Sequence, residues 1–320
     1  MKVIVSDHVF ECFDAEREIL AAAGAKVEVH QCKSAAELAT KVDGAEGILN
    51  TYLPGIDGAI FDAAPRLRAV VRYGIGLDTI DIPEATRRGI VVANVPDYCI
   101  DEVADHAMAH FLALARKVPF ADRKVRAGEW SLSYVKPLKP LRSMRAGIIG
   151  FGRIGRALAH RLAPFVGEIV FHDPCVTAPA DGATPVALDH LLSDCDAIFI
   201  QCPATPDTHH LLNAAAFAKM RRRPILINCA RGPIVDTDAL ATALDQGLVA
   251  AAGLDVLEDH GAVVKGDHPL KQHPHVLLTP HSAWFSDAAI PSLQRRAAET
   301  MAAILSGQRP AAIVNPEVLR

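Results

Sequence analysis

The stretch Gly150-Phe151-Gly152-Arg153-Ile154-Gly155 constrains this chain more than any other. It follows the apolar run Ala146-Gly147-Ile148-Ile149, which reads as a strand. It opens a segment with apolar residues at Ile154, Ala157, Leu158 and Leu162, which is helix spacing. Strand, glycine turn and helix in that order match the dinucleotide fingerprint. The first glycine permits the tight turn, the second lets backbone approach a pyrophosphate, and the third lets helix and strand pack closely. The helix N-terminus then offers N–H groups and a positive dipole end to the phosphates. Val170-Phe171-His172-Asp173 reads as the next strand, with Asp173 lying 18 residues beyond Gly155. A carboxylate there accepts hydrogen bonds from a ribose diol and repels a 2′-phosphate, so the expected cofactor is NAD rather than NADP.

The segments around the fingerprint repeat its rhythm. Ahead of it, strand-like runs at 2–5, 26–30, 47–49, 69–71 and 90–93 alternate with helical stretches. One helix stops at Gly24, and another starts at the Ser34/Glu37 capping pair. A long apolar helix is expected over 103–117, then a loop over 126–145. Beyond Asp173, strands are expected at 197–202, 225–230, 251–257 and 276–279, with helices at 214–220 and 237–244. Strands separated by helices predict parallel sheets covered on both faces. The expected fold class is therefore α/β, with two Rossmann/flavodoxin-like parallel-sheet domains. One would be discontinuous, 1–98 plus 285–320, and would bind substrate; 99–284 would bind NAD. The helical tail after 284 is too short for a domain and is expected to pack on the first, leaving an active-site cleft between the two.

At 320 residues the chain has room for two such cores. Its net charge of −4 and the lack of any basic block argue against a nucleic-acid partner. Met1-Lys2 runs directly into a short strand, too short for a signal peptide or membrane span, so a cytoplasmic location is expected. Seven cysteines without a C-x-x-C fit reduced thiols better than disulfides or zinc. His209-His210 and His273/His275 read as surface residues, and no metal is expected.

Reduction of a 2-oxo acid needs a cation for the carboxylate and carbonyl, and an acid to protonate the developing alkoxide. Arg231 follows the expected strand 225–230, where its planar fork suits a carboxylate. His281 ends the last strand and suits an acid/base role there. Trp284, three residues on, is either an aromatic wall for the substrate or packing for the C-terminal helix.

These stretches, taken together, resemble the D-isomer-specific 2-hydroxyacid dehydrogenase family over nearly the whole chain. The resemblance rests on Gly74 to Asp81, Asn94-Val95-Pro96, Glu102-Val103-Ala104 and the fingerprint. It continues through Cys202 to Thr208, Asn228 to Gly232, Leu254-Asp255-Val256 and Thr279-Pro280-His281. The ending Pro280 to Ser286, with Arg72 before the Gly74 loop, is similar to the branch that includes the C-terminal-binding-protein corepressors. The resemblance implies that Arg231 binds carboxylate and carbonyl and that His281 exchanges the proton. Ile75 and Gly76 would hold the carboxylate through their backbone, helped by Arg72. Gly150, Gly152, Arg153, Ile154 and Gly155 would meet the pyrophosphate, and Asp173 the ribose. Cys202, Thr208 and Cys229 would line the cofactor path, though plain core packing also accounts for the two cysteines. Asp255 would face the nicotinamide amide. A homodimer through the 101–145 region is implied as well.

One departure stands out. The family run Asp-Val-x-x-x-Glu-Pro supplies a glutamate that orients the histidine and raises its pKa. Here the run is Asp255-Val256-Leu257-Glu258-Asp259-His260-Gly261, so His260 occupies the glutamate slot. Glu258 lies two residues early and shares a face with His260 if the stretch is a strand. A carboxylate beside an imidazole favours the imidazolium, and a second imidazole does not. The expected activity is NAD-dependent hydride transfer on a small D-2-hydroxy acid and its 2-oxo partner. The alternative is an NAD(H)-sensing regulatory or scaffold protein with little turnover.

Overall fold

The computed structural model describes residues 1–319. The chain divides into two compact units, one made of residues 1–98 with the chain from Phe285 onward, the other of residues 99–284.

The first unit runs β1 (Lys2–Val5), α1 (Asp14–Ala22), β2 (Lys26–Val29), α2 (Ala35–Ala39), β3 (Gly47–Asn50), α3 (Gly58–Ala63), β4 (Ala69–Arg72), α4 (Ile82–Arg87) and β5 (Val91–Ala93). Its strands form one parallel sheet in the order β2-β1-β3-β4-β5. The central strands β3 and β4 are buried along their whole length, as a sheet covered on both faces requires. One face is closed by the last long helix of the chain, whose Leu293, Ala297, Ala298 and Met301 pack with Val3, Leu20, Leu49 and Val71. The capping pair forms as read: Ser34 Oγ accepts from the Glu37 N–H at 3.2 Å, and Glu37 Oε2 accepts from the Lys33 N–H at 2.9 Å. The six-residue helices α3 and α4 are too short for periodicity to announce. Asp57 and Asp81 cap them by accepting N–H groups of their first turns.

The second unit runs α5 (Ile100–Ala115), α6 (Val118–Arg126), β6 (Arg145–Ile149), α7 (Arg153–Leu162), β7 (Glu168–His172), β8 (Thr184–Pro185), α8 (Leu188–Asp194), β9 (Ala197–Ile200), α9 (Ala214–Ala218), β10 (Ile225–Asn228), α10 (Thr237–Asp245), β11 (Ala251–Leu254), α11 (His260–Lys265) and β12 (Val276–Leu278). The chain then returns to the first unit as α12 (Ala289–Leu305). Seven parallel strands lie in the order β12-β11-β10-β9-β6-β7-β8, so the winding direction reverses between β6 and β9. Ligands of open α/β sheets bind outside the carboxyl ends of the strands at such a switch point.

Two local expectations need correction. The helix expected over 103–117 stops at Ala115, because Lys117 takes a left-handed φ of 55° and starts α6 in a new direction. The strand expected over 251–257 ends at Leu254. Residues 255–257 leave the sheet, 258–259 form a turn, and Asp259 caps α11 by accepting the Ala262 N–H at 2.8 Å. His260 and Glu258 are therefore not alternate residues of one strand face.

Candidate active site

The fingerprint loop lies at the switch point, after β6, with Cys202 after β9 beside it. Gly150 has φ 92°, and a Cβ there would lie 2.5 Å from the Cys202 nitrogen, so only glycine fits. A Cβ on Gly155 would collide with the Gly150 carbonyl, which is the close helix–strand packing asked of the third glycine. Around Gly152 the space is open to 4 Å, and no side chain caps α7. An uncapped helix start over open space fits a pyrophosphate. Arg153 and Ile154 form its first turn. Asp173 Oδ2 accepts the Phe151 N–H at 2.7 Å, and its Oδ1 accepts the Cys175 N–H at 2.8 Å. The acid thus fixes the glycine loop from the next strand while each oxygen keeps a lone pair for a ribose hydroxyl.

Cys202 is half-buried and its thiol is pushed up to about 11 by burial. Burial raises the Cys229 thiol further still. Both are protonated packing groups at neutral pH, not nucleophiles. Thr208 Oγ1 accepts the Thr205 N–H at 2.8 Å and donates to the Pro203 carbonyl at 2.7 Å, which shapes the loop after β9.

Arg231 follows β10. The turn that carries it is built by the buried Asn228, whose Nδ2 donates to the Arg231 carbonyl at 2.9 Å and whose Oδ1 accepts the Ala230 N–H at 3.0 Å. Arg231 donates to the Ala230 carbonyl at 2.7 Å. Gly232 packs directly on the Leu257–Glu258 backbone, so this turn and the turn after β11 support each other.

Asp255, at the end of β11, organises the loop that carries His281. Its side chain is 0% exposed. Oδ1 accepts from Thr279 Oγ1 at 2.6 Å and from the Ser282 N–H at 2.9 Å, and Oδ2 accepts the Ala283 N–H at 2.9 Å. Its backbone carbonyl accepts the His281 N–H at 2.8 Å. His281 sits at φ 54°, a left-handed conformation that a non-glycine residue holds only when its surroundings dictate it. Neighbouring strands thus bring Arg231, Asp255 and His281 to one carboxyl edge of one sheet.

Two histidines that sequence reading passed over stand behind this loop. His106 and His110 lie one turn apart on α5, ring centroids 4.7 Å apart. Their Nε2 atoms lie 2.9 Å and 3.1 Å from Thr279 Oγ1. That hydroxyl donates to Asp255, so it accepts from both rings, which puts a hydrogen on Nε2 of each. Burial first, then the neighbouring His106, push the His110 imidazole down to about 4. The unfolded chain binds that proton near pH 6.5, so this part of the stability is complete above pH 6.5 and is lost as pH falls toward 4. Urea unfolding at pH 7.5 and 4.5 should show a loss from this residue of about 2–3 kcal/mol, and His110→Gln should remove that part.

In the first unit, Arg72 ends β4, is buried, and lies over the Tyr52 ring at 5.0 Å. It donates to the Tyr73 carbonyl. Asn94 donates to the Ile75 carbonyl at 2.7 Å and so fixes the Ile75-Gly76 loop. A third unread residue is Asp7. Its buried carboxylate accepts the N–H groups of Thr51 at 2.7 Å, Tyr52 at 2.6 Å and Leu53 at 2.9 Å, pinning the loop after β3. Trp284 is half-buried at the end of the second unit, and His260 is exposed on the first turn of α11. Glu258 is held by His210 at 2.8 Å.

The fold and the glycine loop define a dinucleotide-binding dehydrogenase. A model of the family described as D-isomer specific 2-hydroxyacid dehydrogenase, NAD binding domain, matches residues 108–283. The glyoxylate reductase of Thermofilum pendens is 37% identical over 309 residues, covering 92% of this chain and 89% of that one. The D-lactate dehydrogenase of Aquifex aeolicus, solved with NAD and lactic acid, superposes with TM-score 0.88 at 27% identity, covering 98% and 99%. The NADPH-dependent glyoxylate/hydroxypyruvate reductase of Sinorhizobium meliloti, solved with NADP and malonate, gives TM-score 0.83 at 30% identity, covering 98% and 96%. The chain belongs to the D-isomer specific 2-hydroxyacid dehydrogenase family. It is an NAD-dependent oxidoreductase that transfers hydride between NAD(H) and a small 2-hydroxy or 2-oxo acid.

Proposed function

We propose that the chain reduces a small 2-oxo acid of the glyoxylate or pyruvate type to the D-2-hydroxy acid. Arg231 after β10 and His281 after β12, at the same carboxyl edge of one sheet on either side of Asp255, carry this reading. NADH, when bound, supplies the hydride. The Arg231 guanidinium binds the carboxylate and polarises the carbonyl, and His281 donates its proton to the oxygen as negative charge develops there. Arg72 and the backbone of Ile75 and Gly76, in the substrate domain 1–98 plus 285–320, hold the carboxylate. Gly150, Gly152, Arg153, Ile154 and Gly155 seat the pyrophosphate. Asp173 takes the adenosine ribose, and Cys202, Thr208 and Cys229 line the cofactor path. Asp255, its carboxylate committed to the 279–283 loop, positions His281 and borders the nicotinamide side. Trp284 limits the substrate side chain. Steady-state NADH oxidation with a panel of 2-oxo acids tests the reading; turnover on the smallest members is expected.

The second reading, NAD(H) sensing with little turnover, draws on the residue that stands for the family's glutamate. His260 is exposed, and the nearby Glu258 pairs with His210. Asp259, between them, is committed to capping α11. His260→Glu should strengthen the protonated form of His281 and move the neutral-side limb of the reduction pH–rate profile to higher pH. An unmoved limb would count against any link between position 260 and His281. NADH binding without turnover on the whole panel would favour the sensing role.

The protein is further proposed to be a cytoplasmic homodimer through the 101–145 region. Trp130 and Leu132 there are 89% and 69% exposed, and α6 buries no residue within its own chain. The seven cysteines are all free. Among the described residues no helix is long and apolar enough to cross a membrane.

A further inference from the structure

The consecutive residues His209 and His210 point the same way. In extended backbone, neighbouring side chains point to opposite faces. Here His210 has a left-handed φ of 49°, which swings its ring alongside that of His209. The rings stack with centroids 4.1 Å apart and planes 25° apart. The twist is held from both sides: the His210 N–H donates to the Pro233 carbonyl at 2.8 Å, and its carbonyl accepts from Asn213 Nδ2 at 3.0 Å. Both Nε2 atoms face a single oxygen. Glu258 Oε1 lies 2.8 Å from His210 Nε2 and 3.6 Å from His209 Nε2. The three ligand atoms all lie within 4.8 Å of one another.

We propose that His209, His210 and Glu258 bind one divalent transition-metal ion of the Zn²⁺ type. Two imidazoles and one carboxylate suit zinc, cobalt or nickel and do not suit calcium or magnesium, which take oxygen sets. Ligands about 2.1 Å from a tetrahedral ion lie roughly 3.4 Å apart. The His209–Glu258 spacing of 3.6 Å is close to that length. The His210–Glu258 pair, now closed by a hydrogen bond, opens by about 0.6 Å when the ion replaces its hydrogen. Three protein ligands leave a fourth position for water. The ion ties the loop after β9 to the turn after β11, the same turn on which Gly232 rests beside Arg231. The site is independent of the assigned substrate and of the role given to His260.

Calorimetric titration of Zn²⁺ into the full-length, chelator-treated protein tests this. The expected result is one saturable site per chain. Glu258→Gln and His210→Ala should each weaken it by at least about tenfold, and both should melt as folded proteins because the positions lie at the surface. His160→Ala, a surface histidine paired instead with Asp181 at 3.2 Å, should bind as the parent does. Co²⁺ added to the parent should give visible d–d bands of a tetrahedral site, absent from the two ligand variants. Lack of saturable Zn²⁺ binding, or equal affinity in the parent and both ligand variants, would overturn the proposal.

Discussion

Replacing His281 with Asn is expected to lower kcat for 2-oxo acid reduction by about 10²–10⁴-fold, with NADH affinity unchanged. Asn is the informative substitution because it tolerates the left-handed backbone that His281 holds at φ 54°. The loop and its N–H bond to the Asp255 carbonyl then survive, and only the proton donor is removed. A group that acts as acid in the transition state should reduce kcat and kcat/KM together and leave KM little changed. Stopped-flow NADH oxidation with saturating substrate reads this directly. A loss smaller than about tenfold, which is 1.4 kcal/mol of barrier, would mean that another group or water supplies the proton.

Asp255→Ala is expected to be the most destabilising single change near the site. The carboxylate is fully buried and gathers the Thr279 hydroxyl and the Ser282 and Ala283 N–H groups. Removing it leaves these three donors, one buried and two partly buried, without that acceptor. Leaving each such group unsatisfied costs about 1–3 kcal/mol without strict additivity, so a total on the order of 3–5 kcal/mol is expected. Activity should fall with it, because the loop that turns His281 is the one released. Asp255→Asn separates charge from shape. It keeps one acceptor oxygen but sets an amide N–H₂ against the Ala283 N–H, so its urea midpoint should lie between those of the parent and the alanine variant. Equal midpoints for parent and alanine variant would show that the loop is held by other contacts.

The parts of this account that sequence made visible are those fixed by local backbone rules. The fingerprint glycines are legible because each answers a local steric demand, as the crowding at Gly150 and Gly155 shows. Arg231 and His281 are legible because each ends an apolar run, and strand ends mark the ligand edge of a parallel sheet. What sequence does not display is the set of partners far along the chain. Asp7 meets residues 44 to 46 positions later. His106 and His110 meet Thr279 from 173 and 169 positions away. One signal was present: two histidines at i and i+4 in a segment otherwise apolar enough to be buried imply a shared polar partner. The run after β11 misleads for a different reason. Val256 and Leu257 are apolar enough to suggest that the strand continues, yet β11 ends at Leu254 and a turn leads to the Asp259 cap of α11. The pairing of His210 with Glu258 depends on that turn and on a left-handed residue, neither of which a sequence pattern reveals.

The central claim is hydride transfer to C2 of a small 2-oxo acid with D-configured product, and isotope tracing tests it most directly. The protein should be incubated with NADH deuterated at the transferring C4 position together with glyoxylate and, separately, pyruvate. The account predicts deuterium at C2 of the product by NMR, and D-lactate from pyruvate by chiral chromatography. Deuterium remaining in the reduced cofactor with every 2-oxo acid offered, or label recovered in L-lactate, would contradict it.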